Sequence, residues 1–201
     1  VLHAPMISGA QLDRLKTLTE HPVAVSIMSS NVYYYGLPEC QQVLGPQRTV
    51  NFYPARSVVD RGLHLTLHSD SPVTPPYPLF EIWAAVTRKI QQPSWYRNEN
   101  PAQCPTVFAN HPQYPGDERI SILDGIRAFT TNAAWQYGME RERGSLEAGK
   151  IADMVLLSDD PLKPLYVADP DQLRNIRVLG TVSYGRYLPN PHADAKPVWP
   201  D

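Results

Sequence analysis

The stretch LTLHSDSPVTP, residues 65–75, decides how this chain is read. A run rich in apolar residues (Leu63, Leu65, Leu67) ends in a single carboxylate, Asp70. Ser69 and Ser71 flank that carboxylate, and a proline-broken loop follows. A carboxylate at a strand end, held by rigid backbone and aimed into loops, suits a metal ligand or a general base. The competing reading is an aspartate that opens an ordinary turn, since Asp-Ser-Pro is common turn chemistry.

Working outward, the pattern alternates. Residues 1–4 read as the remnant of a strand. Ser8 with Gln11 three positions on has capping-box spacing, and Leu12, Leu15 and Leu18 give the helix that follows its apolar side. Pro22 ends it, and residues 23–28 are apolar and β-branched enough for a buried strand. Three consecutive tyrosines, Tyr33, Tyr34 and Tyr35, read as part of a loop over residues 31–36, as loop anchors or substrate contacts. Residues 54–62 form a short helix closing on Gly62, a C-cap position. Residues 63–68 are the next strand. Residues 80–90 are a helix with Ile82, Trp83, Val86 and Ile90 along one side, and residues 120–137 are the longest helical segment, begun by Ser121 and Asp124. Strands joined through helices imply a parallel sheet, as in the last three strand–helix units of a (β/α)₈ barrel. In such a barrel the C-terminal strand ends carry the catalytic residues. Three strands cannot close a barrel alone. Beyond residue 143 the pattern changes. Residues 151–157 and 176–184 read as strands, with a turn at Gly185-Arg186, so residues 144–188 should form a mainly antiparallel unit.

The 201 residues suffice for one good-sized core or two small ones. A formal net charge of −2 gives no pointer to nucleic acid or to an anionic membrane surface. No apolar run approaches the length that spans a bilayer. Cys40 and Cys104 make neither a disulfide framework nor a zinc-site spacing; buried thiols are the default and a single bridge is possible. The 21 prolines cluster in residues 71–78, 93–115 and 189–200, consistent with long irregular connections around a rigid scaffold.

Three further segments follow in order: ISILDGIRAFTTNAAWQY (120–137), GSLEAGKIADMVLLSDDPL (144–162) and IRVLGTVSYGRYL (176–188). With Ser69, Asp70, Pro72 and Val73 they carry a pattern found in one family. It continues through Ala128, Thr130, Asn132, Ala133 and Ala134, then Gly144, Ser145, Leu146, Gly149, Lys150, Ala152 and Asp153, and ends in Val178, Thr181, Val182, Gly185 and Arg186. The ordered set resembles the C-terminal part of the amidohydrolase superfamily, most closely its YtcJ-like branch, amidohydrolase family 3. The resemblance implies an α/β fold: a partial (β/α)₈ TIM barrel in residues 1–140, followed by a small β-sandwich-type segment in residues 141–201. In such relatives that segment pairs with N-terminal strands, so exposed sheet edges are expected here.

The resemblance also assigns roles. His3, in Leu2-His3-Ala4, falls where the sixth barrel strand ends in a histidine that binds a divalent metal; the alternative is a frayed terminal histidine. Asp70 falls where the eighth strand ends in an aspartate that binds metal or takes the proton of the attacking water. Asn31 stands where many relatives have a histidine, and as a substrate contact it can still donate and accept hydrogen bonds. Arg56 is a candidate for an anionic substrate group, or a helix-surface arginine. His68 replaces an expected glycine and, two residues before Asp70, points to the same side of a regular strand, into the pocket or as its wall. Asp153 and Asn132 are expected to tie local structure. The implied cofactor is a divalent metal such as zinc, and the implied reaction is hydrolysis of a non-peptide carbon–nitrogen bond in a small-molecule substrate.

The first-strand His-x-His pair, the bridging lysine or acid and the further histidine of such enzymes cannot be assigned here. With Val at position 1, the chain reads as a C-terminal fragment, inactive alone, that needs the missing N-terminal part of the same enzyme or another chain. No signal-peptide pattern is present, and the expected location is cytoplasmic. A reading from another class is a non-catalytic regulatory or interaction module derived from the same fold.

Overall fold

The structure is a computed structural model that describes residues 1–18, 20, 22–92, 101, 103–109, 116–195, 197 and 199. Most of the 93–115 proline-rich stretch, and part of 189–200, lies outside the described residues.

Helix α1 (Gly9–Lys16) begins as the sequence dictates: Ser8 accepts from the Gln11 N–H and the Gln11 side chain accepts from the Ser8 N–H. Strand β1 (Ala24–Ile27) and strand β2 (His64–Leu67) pair in parallel, Val25 opposite Leu65. Leu2 adds a parallel bridge to Ser26 on the other side of β1. The expected first strand is thus one bridge long, because His3 and Ala4 turn into left-handed backbone at φ +63° and +48°.

Between the strands lie α2 (Ser30–Pro38), α3 (Pro46–Thr49) and α4 (Ala55–Asp60). The helix α2 corrects the loop read from the three tyrosines. Tyr33 is buried edge-on against Phe80 and Trp83, with centroids 5.4 Å away in both cases. That burial outweighs the weak helix propensity of aromatic residues. Helix α5 (Pro78–Thr87) is buried along its whole second half and carries Ile82, Trp83 and Val86 into the core. The single helix expected over residues 120–137 is two, α6 (Ile122–Phe129) and α7 (Thr131–Gln136). Thr130 leaves helical geometry between them at φ −122°, ψ −92°, its hydroxyl donating back to the Ile126 carbonyl. Neighbouring β-branched residues and such back-bonding weaken a helix at this kind of point.

The C-terminal region forms the expected antiparallel unit. Strands β3 (Met154–Leu157), β4 (Val178–Ser183) and β5 (Arg186–Pro189) make a three-stranded sheet with β4 central. Tyr184 and Gly185 both have positive φ, +49° and +76°, in the two-residue hairpin turn, which matches the twist of the strands it joins. Asp153 ties this unit as expected, accepting from the Tyr184 N–H at 2.8 Å and pairing with Arg143. Helix α8 (Pro164–Ala168) and a 3₁₀ turn (Pro170–Asn175) connect β3 to β4. From this connection Tyr166, Leu173 and Ile176 join the same core as Val25, Leu65 and Trp83, so the core runs on across residue 140.

Cys40 and Cys104 form a disulfide, the single bridge that the sequence left open. A second small cluster surrounds it, including Leu37, Val50, Ile90 and Phe108. Among the described residues, no helix is long and apolar enough to cross a membrane.

Candidate functional site

The parallel register brings His3 and Asp70 together. His3 follows the Leu2 bridge directly, and Asp70 comes just past the end of β2, so both leave the same end of the sheet, from the two sides of β1. His3 Nε2 lies 3.7 Å from Asp70 Oδ2, with the side chains 35% and 46% exposed. Both residues have left-handed backbone, Asp70 at φ +53°. For a non-glycine residue this costs roughly 1–2 kcal/mol, and such strain gathers at functional sites. The Asp70 turn is held from both sides: Val73 N–H donates to the Asp70 carbonyl at 2.8 Å, and the Thr74 hydroxyl donates to the Ser69 carbonyl at 2.6 Å.

His68 stands against this pair, its ring edge-on to that of His3 at 4.8 Å. Burial, and then the neighbouring His3, hold His68 below the ordinary histidine range, opposed by Asp70. His68 Nε2 is buried without a hydrogen-bond partner among the described residues. Next to these residues is a cavity of about 440 Å³ lined by Leu67, His68, Asp70, Glu81, Phe129 and Gln136 among others, with no lysine or arginine in its wall among the described residues. Thr66 donates to Gln136 at 2.6 Å, and the Asn132 side chain donates to the Leu65 carbonyl at 2.9 Å, which fixes α7 against β2.

Asn31, in the first turn of α2, donates through Nδ2 to the Tyr53 hydroxyl at 2.6 Å, while its Oδ1 is buried without a partner among the described residues. Burial raises the Tyr53 phenol above its ordinary range, Asn31 opposes, and the Asp70 charge adds to the rise. Arg56 is not drawn in. It pairs with Asp60 one helical turn on, at 2.5 Å, with both side chains about half exposed. The i,i+4 spacing on α4 explains that pairing better than a substrate role does.

Three residues that the sequence did not single out shape this region. Glu81 is fully buried and accepts from the Ser29 hydroxyl at 2.7 Å and the Ser30 N–H at 2.9 Å, which fastens α5 to the start of α2. Burial raises its carboxyl above the usual range, against the hydrogen bonds from Ser30 and Ser29. Arg88 is buried, and burial brings its guanidinium down to about 10. Tyr53 makes the third. Glu81 and Arg88 do leave a trace, as lone charges within and at the end of the apolar run PLFEIWAAVTR; Tyr53 leaves none.

A histidine nitrogen and a carboxylate oxygen 3.7 Å apart match two donors at about 2.0–2.2 Å from one zinc-like ion. They are a pair only: among the described residues no group of three or more His, Cys, Asp or Glu side chains is placed to hold a metal.

The model of the amidohydrolase family matches residues 1–189. The chain is 30% identical over 135 residues to N-substituted formamide deformylase of Arthrobacter pascens, covering 67% of this chain and 21% of that protein. It is 25% identical over 188 residues to amidohydrolase YtcJ of Bacillus subtilis, covering 94% of this chain and 31% of that one. Its fold superposes with a TM-score of 0.57 and 19% identity on a mutant atrazine chlorohydrolase from Arthrobacter aurescens, complexed with zinc and atraton, covering all of this chain and 37% of that one. The chain thus spans about a fifth to a third of the length of these two relatives.

Proposed function

The chain belongs to the amidohydrolase family, and on that footing we propose that it supplies the C-terminal strand ends of a metal-dependent hydrolase acting on a non-peptide carbon–nitrogen bond. The observation that carries this is the His3–Asp70 pair, 3.7 Å apart at the same end of a parallel sheet. In this reading residues 1–140 are the last strand–helix units of a (β/α)₈ barrel and residues 141–201 are part of a β-sandwich beside it. Exposed apolar residues on β3 and β5, such as Val155 and Leu188, support a further layer against that sheet.

His3 and Asp70 would hold a divalent ion, zinc by the donor types, together with ligands from outside this sequence. When bound, the ion polarises a carbonyl and lowers the pKa of a water to about 7. Asp70 takes the proton of the attacking water and passes it to the leaving nitrogen, which makes it general base and then general acid. Asn31, at the start of α2, is the substrate contact on that side, and His68 forms the wall beside His3. An uncharged amide suits a cavity wall that carries Asp70, Glu81 and His68 and, among the described residues, no lysine or arginine. The A. pascens relative acts on N-substituted formamides, and these are the first substrates to try here.

One observation favours a second reading, a non-catalytic module: the described residues provide only two ligands. Metal analysis and amine release decide between the two. The full-length protein carrying this sequence should hold a divalent metal and release amine from N-substituted formamides. His3→Ala should lower bound metal at least about tenfold, since even supporting residues of metal sites are worth that much. A full-length protein with neither metal nor amide hydrolysis would establish the module reading.

A further inference from the structure

The turn that carries Asp70 is tied into a buried polar network that the proposed chemistry does not use. Thr74 is buried, and its single hydroxyl proton goes to the Ser69 carbonyl at 2.6 Å. The Ser30 and Thr74 hydroxyl oxygens lie 3.1 Å apart. Because Thr74 has already committed its proton, Ser30 is the donor in that contact. Ser30, buried as well, donates its backbone N–H to Glu81 Oε2 at 2.9 Å, and the Ser29 hydroxyl donates to the same oxygen at 2.7 Å. The loop after β2, the start of α2 and the first half of α5 thus meet in one chain of hydrogen bonds that ends on the Ser69–Asp70 peptide. Holding the plane of that peptide holds φ of Asp70, which stands at +53° in the left-handed region. For a residue with a side chain, that conformation is unfavourable by about as much as one net hydrogen bond contributes, so the loss of one such bond is enough to let the turn relax. Ser69 and Asp70 border the cavity, whereas Thr74 does not.

We infer that Thr74 is a positioning residue of the site: its hydroxyl, held by Ser30 and through it by Glu81, fixes the Ser69–Asp70 peptide and so aims the Asp70 carboxylate at the ion shared with His3. The inference rests on the hydrolase reading above. Thr74→Val keeps the shape of the side chain and removes the hydroxyl, whereas Thr74→Ser keeps the hydroxyl and loses a methyl group. Zinc binding to the full-length protein, measured by competition with a chelating dye, should weaken about 3- to 10-fold in Thr74→Val, the size of one net hydrogen bond, and stay within about twofold in Thr74→Ser. At saturating zinc with an N-substituted formamide, kcat should fall by a similar factor in Thr74→Val with KM within about twofold, and Thr74→Ser should restore it. In an Asp70→Asn background Thr74→Val should change zinc binding by less than about twofold, because the carboxylate that it aims is gone. If Thr74→Val does not fold, Ser30→Ala removes the hydroxyl that holds Thr74 and should weaken zinc binding at least about threefold. Unchanged zinc binding in Thr74→Val, or in Ser30→Ala where it stands in, would overturn the role. So would an equal loss in Thr74→Ser, or a loss in the Asp70→Asn background as large as in the wild type. A wild type that binds zinc but releases no amine counts against the hydrolase reading alone, and zinc binding still decides the role of Thr74. A wild type that binds no zinc overturns both.

Discussion

Asp70→Asn exchanges one carboxylate oxygen for an amide group and leaves the shape of the side chain intact. Asparagine also tolerates the left-handed backbone that Asp70 adopts at φ +53°, so the turn should not relax. The stability cost is set by the His3 contact, a 3.7 Å pair with 35% and 46% exposed side chains. Such a pair is worth about 0–1 kcal/mol, so the thermal midpoint of the full-length protein should move by less than ~4 °C. Loss of the proton acceptor costs ~10²–10⁴ in kcat, or about 3–5 kcal/mol of barrier. The chemical effect should therefore exceed the structural one several-fold. Asp153→Asn is the converse: it weakens the acceptor for the Tyr184 N–H and the Arg143 pair. That should cost about 1–2 kcal/mol of stability, with kcat within about twofold. The assay is kcat on an N-substituted formamide, thermal midpoint and bound metal for both variants of the full-length protein. Near-normal kcat in Asp70→Asn at full metal occupancy would refute Asp70 as the proton carrier.

Two further outcomes test the scaffold. Burial raises the Glu81 carboxyl from the ordinary 4.5, so between that value and its native one the folded chain holds a proton that the unfolded chain has released. Stability should fall as pH rises through this window, and Glu81→Gln should remove that fall; urea unfolding from pH 4 to 8 measures it, and equal slopes in both proteins would count against the burial argument. Gly125 of α6 sits so close to α5 that an added Cβ would meet Ile82 Cγ2 at 2.8 Å. Gly125→Ala should destabilise by about 1–3 kcal/mol despite its better helix propensity, and an unchanged denaturation midpoint would show that α5 and α6 are not packed as described.

Much of the scaffold was legible because it rests on local chemistry. The Ser8–Gln11 cap, the apolar side of α5, β2 with Asp70 just beyond it and a turn around Gly185 each follow from a few neighbouring residues, although that turn falls at Tyr184-Gly185, one residue earlier than read, with Arg186 already in β5. The misreadings have a common cause. The three tyrosines suggest a loop by propensity, yet Tyr33 is helical because Phe80 and Trp83, far along the chain, cover its ring. The break at Thr130 depends on one hydroxyl choosing a backbone carbonyl, which no hydrophobic period records.

The sequence by itself determined the family, through the ordered motifs from Ser69 to Arg186, and nominated His3 and Asp70. Tertiary structure alone decided that these two meet, because strand register is a long-range property that sets which residues share a sheet end. It also decided that Arg56 turns to Asp60, that Asn31 meets Tyr53, and that Arg88 is spent on carbonyls of the turn beside them. A phenol before a proline, or an arginine after a helix, carries no mark of its partner. Its role appears only when burial withdraws water and leaves each polar group with whatever donor or acceptor the fold has placed within reach.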